Sequence, residues 1–481
     1  MWAGHVQRSK NYICELFKKI KIMLGINLKQ YRQFLTKNER NKVYLRKNSA
    51  EGRSIADSKY KTKRRLSKAE VSVPELIARF RNAEELLKFD WGRLESNFVV
   101  KPVSGYGGDG ILIIRKKINS GGETKYLLMS GKLISEEDIK LHCQEILAGR
   151  YSMHGTADSV IIEERIKIHP MFLSLTKAGT PDIRVIVFNR VPVMAMFRIP
   201  TEKSGGKANL QQGAYGLGID LATGITTFGT EGKSVEIKKI YDFRKKKFIK
   251  INGIKIPFWK EILETSVKCQ KAIPGLGFMG VDIVLDKEDG PKVLEVNARP
   301  GLSIQLCNKA GLKRRIEKID DINVRSDEHA ISLAKYLFGE KFSDKVAEKE
   351  KEKKIQPLEI IKMRIPRGFK PDLQKSPILK QGKHRVVEVR AKVDTGAFRS
   401  SIDRSLADKL GLMSAEKILY FRHYKSSLGK HKDRPVIGVT FWLQGKKVVT
   451  AVNVADRAKL RTKFLLGRKD LEGFLISAKK I

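Results

Sequence analysis

The sequence predicts an α+β protein built from two folded units that a charged linker joins. β-branched runs such as 98–102 and 160–164 alternate in the first unit with helical patterns such as 74–89. Residues 341–354 then alternate in charge sign without an apolar face, which is typical of a linker. Short strands dominate after it, for example 385–393, so we expect the second unit to be mostly β.

The composition excludes several classes of protein. The chain has 481 residues, of which 41% are hydrophobic and 8% aromatic. This content is typical of globular domains, and at ~150 residues per domain the length predicts about three units. No stretch approaches the ~20 apolar residues that span a bilayer, and residues 1–21 lack a secretory signal pattern. The cysteines form no CxxC pair, which favours a reducing, cytoplasmic location. They are Cys14, Cys143, Cys269 and Cys307.

The charge is strongly basic and uneven. Lys and Arg number 96 against 53 Asp and Glu, a formal net charge of +43. Residues 1–70 carry about +14, residues 355–481 about +18 and the long middle only about +11. Basic ends suit nucleic acid, an acidic peptide or simply a solvated basic surface. Since zinc-finger spacing and aromatic RNA-binding runs are lacking, nucleic acid is an alternative partner and not the favoured one.

A glycine-rich segment lies between two predicted strands in residues 98–114. Lys101 ends the first strand, and Gly105, Gly107 and Gly108 follow it. Glycines allow backbone amides to approach a phosphate, and a nearby ammonium can bind the same group. Taken alone the pattern is weak, because a plain β-turn explains it equally well.

Residues 160–166 form an apolar strand that ends in two acids. Glu163 and the backbone near Glu164 and Ile166 could read the amino group of an adenine, although solvated acids at a strand end would look the same. Further along, Glu295 and Asn297 lie two apart on one strand and therefore on the same face.

Together with Asp282 on the neighbouring predicted strand, Glu295 and Asn297 make an oxygen-rich set suited to magnesium beside a triphosphate. Arg299 follows closely and could neutralise charge that develops in a reaction.

The order of these motifs resembles the ATP-grasp superfamily over about residues 22–337. The resemblance implies a fold in which lid and C-terminal subdomains grip ATP. Lys59, in the segment Asp-Ser-Lys-Tyr-Lys-Thr-Lys, and Lys101 would then contact the nucleotide, and Glu163 to Ile166 would form the adenine hinge. Asp282, Glu295 and Asn297 would bind two Mg²⁺ ions, with Mn²⁺ as an alternative.

Five further segments resemble the alpha-L-glutamate ligase branch of that superfamily. The resemblance implies that Arg184 and Arg198 contact phosphate or an acyl-phosphate and that Asn209 faces the same centre. It also implies activation of a carboxylate by ATP, followed by attack of an amine to form an amide. The segments are 181–185, 196–198, 208–210, 216–220 and 297–305.

In the second unit, an Asp-Thr-Gly-Ala turn begins at Asp394, directly after an alternating strand. Backbone amides and the Thr395 hydroxyl could hold its carboxylate, and two such turns facing each other could activate water. Residues 360–477 resemble the retropepsin-like domain that accompanies glutamate ligases and is described as a zinc protease. One Asp per chain implies a homodimer for cleavage, and an inactive substrate-binding derivative is an equal alternative. Zinc is not favoured, since the histidines lack ligand spacing; they are His384, His423 and His431.

The predicted organisation is a basic segment at 1–56, an ATP-grasp domain at 57–337, a linker at 338–357 and a retropepsin-like domain at 358–481. The favoured function is an ATP-dependent ligase that joins an amino acid or acidic peptide through an acyl-phosphate. Two alternatives remain: a peptidase that removes acidic residues, and a basic RNA- or ribosome-binding protein with vestigial catalysis.

Overall fold

The structure is a computed structural model, and the part of the chain it describes has several gaps. Gly107, residues 1–31 of the predicted basic segment and residues 340–352 of the predicted linker lie outside the described part. Within that part, no helix combines the length and apolar character that crossing a bilayer requires. The described residues are 32–94, 96–105, 108–120, 123–152, 155–177, 179–232, 235–339, 353–367, 369, 380–382, 386–425, 431–471 and 474–477.

Three short helices lead into the first sheet. They are α1 (Lys37–Lys42), α2 (Ala50–Ala56) and α3 (Lys59–Lys68). The sheet that follows has six strands in the order β1-β6-β2-β3-β4-β5. These strands are β1 (Leu76–Phe80), β2 (Phe98–Pro102), β3 (Leu112–Ser120), β4 (Glu123–Leu128), β5 (Leu133–Ser135) and β6 (Val160–Glu164).

Helix α5 (Glu136–Leu147) covers the first sheet, and the short α4 (Ala83–Leu87) lies at its edge. Ser135 and Asp138 form a capping box that fixes where α5 begins. Ile139, Cys143 and Ile146 repeat at helical spacing and are fully buried in the core of this sheet. The apolar face of α5 thereby packs against strands such as β2 and β6.

The second sheet has seven strands in the order β11-β10-β9-β8-β7-β14-β15, and β12 and β13 form a separate hairpin. Every residue of β8 is buried, as expected for a central strand covered on both faces. The strands are β7 (Asp182–Phe188), β8 (Val191–Ile199), β9 (Tyr215–Ile219), β10 (Thr226–Glu231), β11 (Val235–Ile237), β12 (Lys239–Asp242), β13 (Lys247–Lys250), β14 (Phe278–Asp286) and β15 (Gly290–Asn297). The helices around it are α6 (Pro170–Leu173), α7 (Trp259–Ala272), α8 (Ile304–Asn308), α9 (Leu312–Glu317) and α10 (Asp327–Phe338).

The C-terminal unit is a closed barrel. Its strands follow the order β17-β19-β24-β20-β23-β22, and β22 pairs back with β17 through Met363 and Phe441. Strand β21 extends the barrel beside β22, β18 pairs with β19, and β16 pairs with β25. The strands are β16 (Lys353–Ile355), β17 (Leu358–Arg364), β18 (Lys380–Gly382), β19 (Val386–Asp394), β20 (Ser401–Asp403), β21 (Ile418–Lys425), β22 (His431–Leu443), β23 (Lys446–Ala455), β24 (Phe464–Gly467) and β25 (Phe474–Ile476); the helices are α11 (Arg404–Lys409) and α12 (Arg468–Leu471).

Helix α10 joins the barrel to the second sheet. His329 on this helix donates from Nε2 to the Leu419 carbonyl of β21 at 2.7 Å. Leu419, Val436 and Ala451 of the barrel belong to the same buried cluster as the second sheet and its helices. The two units therefore share apolar core in addition to polar contacts.

The predicted helix at 74–89 is wrong. Residues Leu76–Phe80 form strand β1, which pairs antiparallel with β6 at the sheet edge, and only Ala83–Leu87 is helical. The apolar spacing of this segment fits both structures, and pairing with β6 decides between them because it satisfies the backbone of the edge. Other strands of the first unit were predicted correctly, with β2 and β6 at the expected residues.

Candidate active site

A buried ion-pair cluster lies where the first sheet meets helix α3. Strands β2 and β6 pair antiparallel and carry Lys101 and Glu163, and α3 carries Lys63. The Glu163 carboxylate pairs with Lys101 through Oε1, and with Lys63 through Oε2 at 2.7 Å. Lys63 also donates to the Pro74 carbonyl at 2.9 Å. One carboxylate thus holds two ammonium groups at a fixed place.

Burial and charge oppose each other in this cluster. Burial raises the pKa of Glu163, but Lys101 and Lys63 outweigh it and hold that pKa below its usual range. Burial lowers the pKa of Lys63 to about 8, although Glu163 raises it. The Glu163 side chain is only 3% exposed, and both of its oxygens face lysines. This differs from the expectation that Glu163 reads an adenine, because its carboxylate is already paired.

Lys59 lies at the first turn of α3, after the capping residue Ser58. Its Nζ donates to the Gly105 carbonyl at 2.7 Å, which ties the helix to the glycine-rich loop. Gly105 cannot carry a side chain there, since a Cβ would lie 2.3 Å from Pro102 Cγ. Gly108 has a φ of +83°, in the left-handed region that favours glycine. Both positions therefore require glycine, and the Lys59 ammonium is bonded to the backbone at the first of them.

Three side chains form a row across β7, β14 and β15. Asp282 lies opposite Arg184 on one side and opposite Glu295 on the other. Arg184 donates to both oxygens of Asp282, from Nε at 2.6 Å and from Nη2 at 2.5 Å. Its Nη2 is also 3.9 Å from Glu295 Oε1. The row carries one guanidinium followed by two carboxylates, Asp282 and Glu295, which we call the acidic row; it ends at Glu295, whose side chain is 41% exposed.

A second guanidinium supports this row from the buried side. Arg198 donates from Nε to Asp182 Oδ1 at 2.5 Å, and its Nη2 lies 2.8 Å from Asp282 Oδ2. Burial raises the pKa of Asp282, but Arg184 and Arg198 together hold it well below its usual range. Burial also raises the pKa of Asp182, to about 6, in spite of Arg198. The Arg198 side chain is 8% exposed and fully engaged with carboxylates, so here it positions Asp282, in contrast to its predicted contact with phosphate.

The charges of the two sheets meet at Lys59. Burial lowers the pKa of Lys59, Glu295 raises it, and Lys101 lowers it. The amide of Lys59 also donates to the Val103 carbonyl at 3.2 Å, which places Lys59 beside the end of β2 that carries Lys101. Residues from two separate parts of the sequence are thereby brought together, and Glu295 acts on Lys59 through its charge.

The predicted metal ligands also lie together. Asn297 Nδ2 donates to Glu295 Oε1 at 3.0 Å and is 3.4 Å from Asp282 Oδ2. Glu295 and Asn297 fit Mg²⁺, which takes one or two carboxylates and otherwise uses waters and phosphates. Asp282 fits less well, because guanidinium groups occupy both of its oxygens. Within the described ranges, no group of three or more His, Cys, Asp or Glu side chains could hold a metal ion.

Other predicted residues lie at the edges of this site. Arg299 pairs with Asp57 at 2.8 Å, directly before α3, and is half exposed. Glu164 accepts from the Glu75 amide at 3.1 Å and pairs with Lys292 on β15, so it bridges the two sheets. Ile166 is half-buried in the connection that follows β6.

Asn209 differs from its predicted role. Its Oδ1 accepts from the Gln211 amide at 2.9 Å and caps the short 3₁₀ turn Leu210–Gln212. This local hydrogen bond occupies the side-chain oxygen, so the described contacts do not direct it to the centre.

The Asp-Thr-Gly turn lies in the barrel, at the end of β19. Asp394 Oδ1 accepts from the amides of Gly396 at 2.9 Å and Ala397 at 3.1 Å, as predicted from the turn chemistry. In the parallel pairing of β19 with β24, Asp394 lies opposite Gly467. Ser400 braces this arrangement, since it accepts from the Gly467 amide at 3.0 Å and donates to Asp470 at 2.5 Å. No described contact involves the Thr395 hydroxyl, which was expected to help.

Two residues of the site were not singled out from the sequence. Lys63 follows Lys59 by four positions, so a helix over this segment would carry both on one face. Asp182 precedes Arg184 by two positions and therefore lies on the same face of its strand. Both spacings were readable, but the partners of these side chains come from distant segments.

The fold is that of an ATP-grasp protein. The model of the family described as sugar-transfer associated ATP-grasp matches residues 38–321, more than half of the chain, and the chain belongs to this family. The predicted ATP-grasp fold is thereby confirmed. No curated protein matches the sequence.

Solved structures with a similar fold include three ligases and synthetases. A D-alanine–D-alanine ligase from Bacillus anthracis complexed with ATP is 16% identical, with a TM-score of 0.33, over 57% of this chain and 68% of that one. N5-carboxyaminoimidazole synthetase from Staphylococcus aureus complexed with ADP is 15% identical, with a TM-score of 0.31, over 53% and 48%. L-amino acid ligase from Bacillus licheniformis is 12% identical, with a TM-score of 0.29, over 53% and 43%. These likenesses are too distant to bear on activity.

Proposed function

We propose that the protein is an ATP-dependent carboxylate–amine ligase. The observation that carries this proposal is the position of Lys59, which donates from its amide to the Val103 carbonyl at 3.2 Å, two residues after Lys101, and from Nζ to the Gly105 carbonyl at 2.7 Å. Two ammonium groups beside a glycine-rich segment suit the phosphates of ATP, and the oxygens of Glu295 and Asn297 suit the magnesium that accompanies them.

In the proposed reaction, the substrate carboxylate attacks the γ-phosphorus of ATP and ADP leaves, which gives an acyl-phosphate. An amine then attacks the acyl carbon, phosphate leaves, and the amine nitrogen releases a proton. Lys59 and Lys101 hold the phosphates, and Glu163 fixes Lys101 from behind. Asp282 keeps Arg184 in place at the other end of the row from Glu295, and Arg198 in turn holds Asp282. When bound at Glu295 and Asn297, magnesium would supply charge neutralisation on the phosphates.

Glutamate, or a peptide ending in it, is the proposed substrate. The support is the likeness of five segments to alpha-L-glutamate ligases, two of which contain Arg184 and Arg198. The high positive charge of the chain would attract such an acidic substrate by long-range steering. Incubation with ATP, magnesium and a panel of amino acids, followed by product masses and ADP release, tests this proposal. Glutamate-containing products are expected, and ADP release with no new amide would contradict ligation.

A variant pair separates the site from general effects of charge. Glu295→Gln removes one carboxylate at the end of the acidic row, and we expect ATP turnover to fall about 100-fold, because the carboxylate proposed to bind magnesium is lost. Glu288→Gln removes the same charge from the exposed β14–β15 turn, where Glu288 pairs with Lys167 at 3.1 Å. Turnover of this control should match the wild type. Equal turnover in all three proteins would exclude Glu295 from the reaction.

We also propose that the barrel acts on acidic peptides, either as an aspartic peptidase or as a substrate-binding domain. The support is the closed barrel with Asp394 held by backbone amides opposite Gly467. Cleavage would need a second copy of Asp394, so that two carboxylates share a proton and activate water. Asp394→Asn should abolish cleavage of a glutamylated peptide and leave ADP release unchanged. Cleavage that survives this substitution would refute a mechanism based on Asp394. Cleavage by a strictly monomeric protein would refute the need for two copies of it.

A further inference from the structure

A cavity of about 590 Å³ lies between helices α9 and α10 of the first unit and the turn after Asp394 in the barrel. Its volume is in the range of small-molecule sites. We call it the cationic cavity, because five of its nine lining residues are basic. The lining consists of Arg314, Lys318, Leu337, Thr395, Phe398, Arg399, Arg468, Lys469 and Leu471.

Among the described residues, none that lines the cationic cavity carries a carboxylate. Burial lowers the pKa of Lys318 to about 7, and the positive charges of Arg314, Lys469, Arg399 and Arg315 add to this effect. The neighbouring Lys313 of α9, by contrast, lies 2.5 Å from Glu39 of α1. The cationic cavity therefore concentrates five basic side chains among its described lining residues, which favours binding of an anion.

Hydrogen bonds outside the cavity hold the Arg399 guanidinium and the backbone of Arg468 and Lys469 in place. Arg399 donates from Nη1 to the Tyr420 hydroxyl at 2.8 Å, while its Nε is buried without a hydrogen-bond partner. The amides of Arg468 and Lys469 bond to the carbonyls of residues 397 and 398 at 2.8 and 3.0 Å, which fixes helix α12 against the turn. Since a buried N–H without a partner is costly, a bound ligand could stabilise this site by accepting a hydrogen bond from Arg399 Nε.

We propose that the cationic cavity binds a small polyanion that carries two or more phosphate or carboxylate groups. The ligand would contact Arg314 and Lys318 on one side and Arg399, Arg468 and Lys469 on the other, and so would bridge the two units. The apolar walls at Leu337, Phe398 and Leu471 leave room for a short nonpolar portion. This proposal is independent of the ligase activity, because none of these residues belongs to the cluster around Lys59.

Isothermal titration calorimetry on the full chain tests the proposal, with inorganic tripolyphosphate and citrate as the two probes. Magnesium and nucleotide are left out, because both probes chelate magnesium and a nucleotide is itself a small polyanion that could fill the cavity. We expect one equivalent of at least one probe to bind, and the stronger of the two identifies phosphate or carboxylate as the recognised group. The variant Arg399→Gln/Arg468→Gln should bind it at least tenfold more weakly. Absence of heat with both probes would overturn the proposal.

The matched control is Arg404→Gln/Arg461→Gln, which removes the same charge from exposed positions of the barrel that do not line the cavity. It should bind like the wild type, and equal weakening in both double variants would mean attraction to net charge only. Lys318 gives a second readout. An anion beside it raises its pKa, so binding at about pH 7.5 should take up protons, measured in buffers of different ionisation enthalpy. Lys318→Met should remove this uptake, and unchanged uptake would place the anion elsewhere.

Discussion

Replacement of Glu163 by Gln tests whether the buried lysine cluster holds the first sheet to helix α3. Gln cannot neutralise Lys63 and Lys101, which are 4% and 7% exposed in the folded protein. Breaking a buried ion pair from one side costs about 3–5 kcal/mol. Keeping Lys63 charged already costs about 3 kcal/mol, since its pKa is lowered from 10.5 to about 8. In the variant we expect Lys63 to lose its proton instead, which limits the loss to about 3 kcal/mol.

Hydrogen–deuterium exchange of peptides from β2 and β6 measures this loss locally, without requiring the whole chain to unfold in one step. A loss of about 3 kcal/mol corresponds to exchange roughly 100-fold faster. The deficit should shrink as the pH rises toward 8. In that range folded Glu163→Gln protein binds one proton fewer than its unfolded chain, so its stability rises with pH, while the wild type keeps Lys63 protonated in both states.

Two controls make the result specific. Adding Lys63→Met to Glu163→Gln removes the buried amine whose loss of a proton costs free energy on folding, and should recover part of the stability. Glu164→Gln removes a neighbouring carboxylate that is one-third exposed, so it should cost only about 1 kcal/mol or less. Wild-type exchange in Glu163→Gln, or no recovery in the double variant, would refute the idea that charge compensation at Glu163 stabilises this region.

Two further predictions concern the other clusters. Burial raises the pKa of Asp182 to about 6, so the folded state keeps a proton that the unfolded state loses between about pH 4 and 6. The contribution of Asp182 to stability therefore falls as the pH rises through that range. Asp182→Asn should remove this decline from thermal midpoints measured against pH, and an unchanged profile would assign the decline to another group. Gly467→Ala would place a Cβ 2.4 Å from the backbone carbon of Arg399, which should destabilise the barrel by about 1–3 kcal/mol in urea denaturation, whereas an unchanged midpoint would show that the turn at Asp394 can move aside.

Local patterns in the sequence carry much of the first unit. The apolar run at β2 and the run that ends in Glu163 at β6 give these strands their bounds. The positions of Asp282 and Glu295 on neighbouring strands also follow from the sequence, since two apolar runs separated by a short turn predict an antiparallel pair. Side chains on one strand face, such as Glu295 and Asn297, could therefore be placed together in advance.

Long-range pairing limits what a single sequence predicts. The register of β2 against β6 brings Lys101 to Glu163, and nothing in the local pattern of either strand determines that register. For the same reason the sequence suggested a nucleotide contact for Glu163, while the folded chain uses it to compensate buried lysines. Closure of the barrel through β17 and β22 depends likewise on a pairing between segments about 80 residues apart. The prediction of a helix at 74–89 is wrong because part of this segment forms the edge strand β1, and its partner β6 lies far downstream in the sequence.

The shared core at helix α10 has a consequence for anyone who wishes to excise either half of the chain. A cut within the predicted linker would separate Leu419, Val436 and Ala451 from the apolar residues they pack against. It would also leave His329 without the Leu419 carbonyl. Each fragment would then expose an apolar surface to solvent, and we expect the isolated fragments to aggregate. The first unit and the barrel should accordingly be expressed and assayed together as one chain.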